Sequence, residues 1–272
     1  MSERRPRTEL PSALTAFTQL SEAIGERRPA VFLDYDGVLT PIVSHPDLAL
    51  LTEDTRSVVR RLASMTEVAV ISGRDTADVR AKVGLDGVWY AGSHGFDIVG
   101  PHGSSAGDGT LSRFEQYIPV LIAAADEIDR QVAGMPGVHV ERKRFAVAVH
   151  FREAAETAEP VVERLVNDMG DRDDRLRVTT GKKIFELRPA VEWDKGKALA
   201  WLMDRLDLDF ESTTPLYLGD DVTDEDAFAV LVGRGLGIVV GRDGEPSLAA
   251  YALEDPDEVR EMLARLAGAI EP

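Results

Sequence analysis

Short apolar runs alternate along this chain with segments in which apolar residues recur every three or four positions. Continuous apolar runs lie at 31–33, 68–71, 216–218 and 236–240. Such runs are typical of strands that are buried on both faces of a parallel sheet. Helical spacing predicts helices over 12–24, after Thr52, after Asp75, after Asp194 and over 259–270. This alternation predicts an α/β fold with a Rossmann-like, doubly wound parallel sheet as its core.

The pattern changes in the middle of the chain. The elements expected there are helices over about 111–132 and 155–169, and strands over 138–152 and 184–187. Polar and apolar residues alternate over 138–152, which predicts half-exposed antiparallel strands. If this alternation runs unbroken, the side chain of Arg142 lies on the same face as those of Ala148 and His150. The side chain of Lys143 then lies on the opposite face. We therefore predict an inserted α+β cap domain over 105–188, within a core of residues 1–104 and 189–272.

Composition and charge narrow the classes of function. The 272 residues are 44% apolar and 29% charged, which is ordinary for a globular protein. The formal net charge of −17 disfavours binding to nucleic acid or to anionic membranes. Without cysteine there are no disulfides and no thiolate zinc site. No apolar stretch has the length of a signal peptide or a membrane span, so a cytoplasmic location is expected.

Two carboxylates, Asp34 and Asp36, follow the first buried strand. Alternation along a strand places both on one face, and Gly37 then allows a tight turn. Two like charges this close repel each other unless a cation or a shared proton compensates them. Since the residues lie at the carboxyl end of a strand, a hard cation such as Mg²⁺ is the natural compensator.

Further polar residues follow other predicted strands and begin one helix. Ser72 ends the second strand, Asp220 and Asp224 follow the third, and Lys195 begins a helix. Parallel strands end at one edge, so these side chains are expected to converge there. Taken singly, each has an ordinary explanation as a turn, a cap or a solvated charge. Together, they suit phosphoryl transfer through an aspartyl phosphate at Asp34.

The motifs at these strand ends closely resemble those of the haloacid dehalogenase-like phosphatase superfamily. The segments that carry the resemblance are 34–38 (Asp-Tyr-Asp-Gly-Val), Ser72, Lys195 and 219–224 (Gly-Asp-Asp-Val-Thr-Asp). Val38 stands where many relatives have Thr. The resemblance implies a HAD-like core in which Asp34 is the nucleophile and Asp36 the general acid and base. It also implies that Asp34, Asp220 and the Asp36 carbonyl hold Mg²⁺, while Asp224 orients a bound water or Lys195.

The inserted region is similar to the cap of the trehalose-6-phosphate phosphatases. The segments that match, within the insertion and on either side of it, lie at 71–74, 92–95, 141–143, 150–152, 186–189, 193–196 and 219–228. That resemblance implies a trehalose 6-phosphate hydrolase in trehalose biosynthesis. The substrate-binding residues that it implies are Gly73, Arg74, His94, Glu141, Lys143, Arg152, Lys182 and Glu186. Paired carboxylates and ammonium groups both accept from and donate to sugar hydroxyls.

Several alternatives stay open at this point. In the cap, the pairs Glu141/Lys143 and Lys182/Glu186 could be exposed ion pairs that contribute little to stability. Arg142 and Arg144 are expected to be solvated. The substrate could be another sugar phosphate, such as sucrose 6-phosphate or a glycosyl-3-phosphoglycerate. A phospho-accepting signalling module would carry similar residues around Mg²⁺, but it would not need a cap of about 80 residues. A catalytically dead regulatory homologue is disfavoured by the intact motif set, and a monomer is expected.

Overall fold

The computed structural model describes residues 4–104, 112–181 and 183–271. Two compact units divide the chain: Met1–Ala106 with Trp193–Pro272, and Gly107–Glu192. The strands in the described residues are β1 (Arg5–Pro6), β2 (Arg28–Leu33), β3 (Val68–Ile71), β4 (Trp89–Gly92), β5 (Asp97–Val99), β6 (His139–Lys143), β7 (Ala146–His150), β8 (Leu176–Gly181), β9 (Ile184–Pro189), β10 (Thr213–Gly219), β11 (Leu236–Val240), β12 (Pro246–Ser247) and β13 (Tyr251–Leu253). The helices there are α1 (Phe17–Ile24), α2 (Glu53–Ala63), α3 (Thr76–Val83), α4 (Ile118–Val132), α5 (Glu159–Arg172), α6 (Lys195–Arg205), α7 (Glu225–Leu231) and α8 (Pro256–Ile270).

The first unit is built on a seven-stranded sheet with the order β13-β11-β10-β2-β3-β4-β5. Every neighbouring pair is parallel except β4 with β5. The chain proceeds from β2 outward in one direction and later from β10 outward in the other. The order therefore reverses between β2 and β10, and this switch point is where open α/β sheets bind their ligands. The predicted doubly wound core is confirmed.

Local sequence explains where two of the core helices start. Thr52 caps α2 by accepting a hydrogen bond from the Thr55 N–H, and Asp194 caps α6 in the same way through Lys197. The first helix begins at Phe17 and not at the expected residue 12. Ser12 is instead engaged by a bridge to Ala252, which holds this part of the chain in a non-helical conformation.

The second unit is a four-stranded antiparallel sheet with the order β6-β7-β9-β8. Residues of α4 and α5 pack with Val147, Val149, Phe185 and Leu187 in one apolar core. Because side chains alternate along strands, the neighbours of those residues line the opposite, polar face. Helix α4 starts at Ile118, later than the expected residue 111, which lies outside the described residues.

The assignment of side chains to the two faces that was expected over 138–152 is wrong beyond residue 143. A turn at Arg144 and Phe145 separates β6 from β7, so the alternation starts again after it. Glu141 pairs with Ala148 across the two strands, and directly paired residues share a face. His150 therefore lies on the same face as Glu141.

No helix within the described ranges combines the length and apolar character that a bilayer crossing requires.

The proposed division into a catalytic core and a cap for substrate specificity stays a prediction.

Candidate active site

Asp34 and Asp220 leave the sheet side by side at its switch point. Leu33 is in register with Leu218, so the residues that follow β2 and β10 emerge from neighbouring strands. Gly37 adopts a φ of +77°, and a Cβ there would collide with the Asp220 carboxylate. The glycine thus allows the Asp220 side chain to lie directly against the turn that follows Asp34.

Lys195 joins two of the predicted carboxylates. Its side chain is buried, and Nζ donates to Asp34 Oδ2 at 2.6 Å and to Asp224 Oδ1 at 2.7 Å. Burial opposes the charged form, but the Asp224 and Asp34 carboxylates outweigh it and raise the pKa of Lys195. The ammonium is therefore a permanent cation at the start of α6.

Asp224 is saturated with hydrogen-bond donors. Oδ1 accepts from Lys195 and from the Tyr217 hydroxyl at 2.6 Å, and Oδ2 accepts from the N–H groups of Asp220 and Asp221 at 3.0 and 2.9 Å. A carboxylate offers about four lone-pair sites, so none is left for a metal. Asp224 fixes Lys195 and the Asp220 backbone. Sequence reasoning missed Tyr217, which reads as one more apolar residue of a buried strand.

The site holds more negative charge than positive. Ligand atoms of Asp34, Asp220 and Asp224 lie within 4.8 Å of one another, and Lys195 is the cation paired with them. Burial raises the pKa of Asp34 to about 7 and that of Asp220 to about 8, with neighbouring carboxylates adding to both. Among the described residues, no group donates a hydrogen bond to the Asp220 carboxylate. Carboxylate oxygens that lack a compensating charge fit a hard divalent cation.

The Asp36 side chain lies against Arg74. The guanidinium forms a bidentate pair with it, Nε to Oδ2 at 2.7 Å and Nη2 to Oδ1 at 2.8 Å, and also pairs with Asp78 at 2.8 Å. The Arg74 guanidinium also lies over the Tyr35 ring, 5.3 Å from the ring centroid. Sequence reasoning assigned Arg74 to the substrate and missed this partner. Contact of Arg74 with the substrate stays a prediction.

Ser72, Gly73 and His94 cluster at the ends of β3 and β4. Ser72 is buried, and its Oγ accepts from the Arg74 N–H at 3.2 Å. A Cβ on Gly73 would come within 3.0 Å of the His94 ring, so the absence of a side chain there lets the imidazole approach. His94 has a φ of +57°. These placements leave the predicted roles of the three residues as predictions.

In the second unit, a network of charges lies on the polar face of the sheet. Lys143 Nζ donates to Glu186 Oε1 at 2.8 Å, and Arg188 Nε donates to Glu186 Oε2 at 2.7 Å. Glu141 Oε2 lies 2.9 Å from His150 Nε2 and 3.9 Å from Lys143 Nζ. Burial opposes the charge of Lys143, but Glu186 and Glu141 raise its pKa; His150 lowers the pKa of Glu141.

The other predicted cap residues have different positions. Arg152 is exposed, and Lys182 lies outside the described residues. Arg142 and Arg144 are exposed as expected, in ion pairs with Asp126, Asp129 and Glu115. Sequence reasoning gave no role to Arg188 or His150. The turn between β6 and β7 is the signal that would have placed His150 with Glu141.

The reversed strand order and the inserted α+β unit together give this chain a haloacid dehalogenase-like fold, with carboxylates at its switch point. A solved haloacid dehalogenase-like hydrolase from Bacteroides thetaiotaomicron superposes with a TM-score of 0.60 at 15% identity, covering 88% of this chain and 100% of its own. The trehalose-phosphatase family model matches residues 32–257. The chain belongs to the trehalose-phosphatase family.

Two more similar proteins carry the family's name. A trehalose-phosphate phosphatase from Mycobacterium marinum is 45% identical over 270 residues, which span 97% of this chain and 67% of the relative. The C-terminal domain of a trehalose-6-phosphate phosphatase from C. albicans superposes with a TM-score of 0.73 at 24% identity, covering 96% of this chain and 100% of that domain. The family expected from the motifs is therefore confirmed, and with it an enzyme that hydrolyses a phosphoric monoester.

Proposed function

We propose that this protein is a Mg²⁺-dependent phosphatase that hydrolyses trehalose 6-phosphate to trehalose and phosphate. The observation that carries the proposal is the buried ammonium of Lys195 between Asp34 and Asp224, with Asp220 beside them. Membership of the trehalose-phosphatase family supports the choice of substrate.

Asp34, Asp220 and the backbone carbonyl of Asp36 would hold the metal. The donor set fits, because all three supply oxygen and the Asp220 carboxylate receives no hydrogen bond from the described residues. Asp224 is not a ligand in this proposal, because its lone pairs are already used. When bound, Mg²⁺ polarises a phosphoryl oxygen and neutralises the charge that develops on it.

In the first step the carboxylate of Asp34 attacks phosphorus. A bond forms between an Asp34 oxygen and phosphorus, and the bond from phosphorus to the sugar oxygen breaks. Asp36 gives a proton to the departing oxygen, which leaves as a sugar hydroxyl. Lys195 stabilises the negative charge, and the Ser72 hydroxyl donates to a phosphoryl oxygen.

In the second step the aspartyl phosphate is hydrolysed. Asp36, now ionised, takes a proton from water, and the resulting nucleophile attacks phosphorus. Phosphate leaves, and the Asp34 carboxylate is regenerated. The bidentate pair with Arg74 uses two of the lone-pair sites of Asp36, so a carboxylate oxygen can still exchange a proton.

The polar face of the second unit supplies the groups suited to a disaccharide. Lys143 donates, Glu141 and Glu186 accept, and together they match hydroxyls that do both. His94, Arg152 and Lys182 are proposed as further sugar contacts, and Gly73 with Arg74 as contacts at the phosphate end. The largely buried Lys143–Glu186 pair is held in place before substrate arrives, which lowers the entropic cost of binding.

The proposal is tested by phosphate release from a panel of sugar phosphates. Trehalose 6-phosphate should turn over many times per enzyme, and addition of a chelator should abolish release until Mg²⁺ is restored. Faster release from sucrose 6-phosphate or a glycosyl-3-phosphoglycerate would contradict the assigned substrate. A stable phosphoprotein without turnover would contradict the hydrolase mechanism.

A further inference from the structure

The N-terminal segment of the first unit, residues 5–13, runs along the stretch 242–252. β1 pairs antiparallel with β12, and the segment continues with backbone hydrogen bonds from Ala13 to Ala252 and from Ala252 to Pro11. The segment lies outside residues 32–257, which the family model matches. It therefore belongs to this unit by its contacts and not by the family's motifs.

Arg7 reaches from this segment to the backbone of Asp220. Its side chain is buried, and Nη1 donates to the Asp220 carbonyl oxygen at 2.9 Å and to Asp243 Oδ2 at 3.4 Å. No described group accepts a hydrogen bond from its buried Nε. Burial of a guanidinium with an unsatisfied N–H opposes folding. Stability alone is therefore a poor reason for Arg7 to lie here.

The contact adds a second restraint to the peptide group that follows Asp220. The Asp220 N–H donates to Asp224 Oδ2, and the next N–H, that of Asp221, donates to the same oxygen. The Asp220 carbonyl oxygen accepts from Arg7. With both flanking peptide groups fixed, the direction of the Cα–Cβ bond of Asp220 is also fixed. That direction decides whether its carboxylate faces Asp34.

We propose that Arg7 is a positioning residue for the metal site, acting through the Asp220 backbone. The inference rests on the proposed Mg²⁺ site at Asp34 and Asp220. It assigns to the N-terminal segment a part in metal binding that the motifs at the strand ends do not contain. Arg7 touches neither the metal nor the substrate in this role.

If Arg7 acted only through its charge, its removal would change Mg²⁺ affinity in the opposite direction. A cation close to the site repels Mg²⁺, so its removal alone would strengthen metal binding. The charge of Arg7 is offset by Asp243, and its contact with Asp220 is made to the backbone carbonyl oxygen and not to the carboxylate. Loss of Arg7 should therefore act through loosened geometry and weaken metal binding.

The test is Mg²⁺ binding by isothermal titration calorimetry with the full chain, without substrate. Arg7→Met should weaken Mg²⁺ binding about 10-fold to 100-fold, as loss of a partner that orients a ligand typically does. Arg7→Lys keeps a cation for Asp243, but its shorter side chain reaches the Asp220 carbonyl oxygen less well, and a loss of about 3-fold to 10-fold is expected. At saturating Mg²⁺ the KM for trehalose 6-phosphate should stay within about twofold of wild type, since Arg7 does not touch substrate.

Arg242→Met is the matched control. Arg242 Nη2 donates to the carbonyl oxygens of Thr8 and Leu10, so it holds the same segment without contacting Asp220. This variant should melt at a lower temperature yet bind Mg²⁺ as wild type does. Equal weakening in Arg242→Met and Arg7→Met would overturn the proposal, as would tighter or unchanged binding in the Arg7 variants. If Arg7→Met does not fold, Arg7→Lys alone decides in the same way.

Failure of the metal site itself is distinguishable. Absence of Mg²⁺ binding by wild type would overturn both the proposed metal site and the role of Arg7. Binding by wild type that is lost in Asp220→Asn but unchanged in the Arg7 variants would overturn only the latter.

Discussion

The two units each contain a buried lysine among carboxylates, and the two clusters differ in charge balance. Around Lys195 in the first unit, the single ammonium faces Asp34 and Asp224, with Asp220 close by. Around Lys143 in the second unit, Glu186 is shared with Arg188, and Glu141 is paired with His150. The first cluster has a deficit of positive charge, whereas the second is nearly neutral.

In the proposed function, this difference in charge balance separates a site for chemistry from a site for sugar recognition. At the first cluster, burial raises the pKa of Asp34 and Asp220, with neighbouring carboxylates adding to both. The excess negative charge there suits a divalent cation. In the second cluster the charges satisfy one another and still present donors and acceptors, which suits an uncharged sugar. Each prediction below alters one cluster and asks whether the other keeps its function.

The largest expected effect comes from Asp34→Asn. An amide cannot form the aspartyl phosphate, so kcat should fall by about 10⁴-fold or more on every phosphate ester. Phosphate release from trehalose 6-phosphate and from an aryl phosphate checks this. Circular dichroism should be unchanged, and an Asp34→Asn protein that keeps substantial activity on either ester would contradict the proposed nucleophile.

Lys143→Met should separate the two clusters by substrate. The variant removes a proposed sugar contact but leaves Glu186 paired with Arg188. We expect kcat/KM for trehalose 6-phosphate to fall about 100-fold, the cost of a lost charged hydrogen bond, and that for an aryl phosphate to change less than about threefold.

Arg142→Met is the control for that substitution. Arg142 lies on the same strand with the opposite parity, exposed and paired with Asp126 and Asp129. Its loss should leave both substrates unaffected. Equal losses on both substrates in Lys143→Met would show that the polar face does not recognise the sugar.

Asp220→Asn should make the metal-free protein more stable at high pH. This effect is expected to be smaller than those of the two substitutions above. The pKa of Asp220 is raised to about 8 from its ordinary value of 3.8. The folded state then holds a proton that the unfolded state loses, so this residue costs stability progressively as pH rises from about 4 to about 8. At pH 8.5 without metal, Asp220→Asn should gain on the order of 1–3 kcal/mol of unfolding free energy.

Urea unfolding at pH 5 and at pH 8.5, in the presence of chelator, measures this gain. The gain should be larger at pH 8.5 than at pH 5, because the cost accumulates between about pH 4 and about pH 8. Asp221→Asn is the control, since it is exposed and its amide oxygen can still accept from the Val222 N–H. A loss of stability in Asp220→Asn at pH 8.5 would contradict the charge imbalance inferred for the first cluster.

The convergence of Asp34 and Asp220 could be predicted from sequence because it follows from topology. Asp34 and Asp220 end apolar strands, and parallel strands end at one edge. The strands Val68–Ile71 and Leu236–Val240 have the bounds that their apolar runs predict. A strand that is buried on both faces needs an apolar residue at nearly every position, so its apolar run marks its bounds.

Residues that act through long-range contacts could not be predicted in this way. Tyr217 differs from its strand neighbours only in a hydroxyl group, and nothing in the sequence indicates that Asp224 receives it. Arg7 lies in a basic tail of ordinary appearance, 213 positions from Asp220. The bidentate partner of Arg74 depends on a side-chain direction across two loops, which spacing along the chain does not encode.

The most direct test of the account is to trap the covalent intermediate. Asp36→Asn lacks the base for its hydrolysis, and an aryl phosphate has a leaving group that needs little protonation. Mixing the two with Mg²⁺, quenching in acid and digesting the protein allows the phosphorylated residue to be located by mass spectrometry. We predict one phosphoryl group, on Asp34. Phosphorylation of another residue, or release of phosphate with Asp34 never modified, would contradict the account.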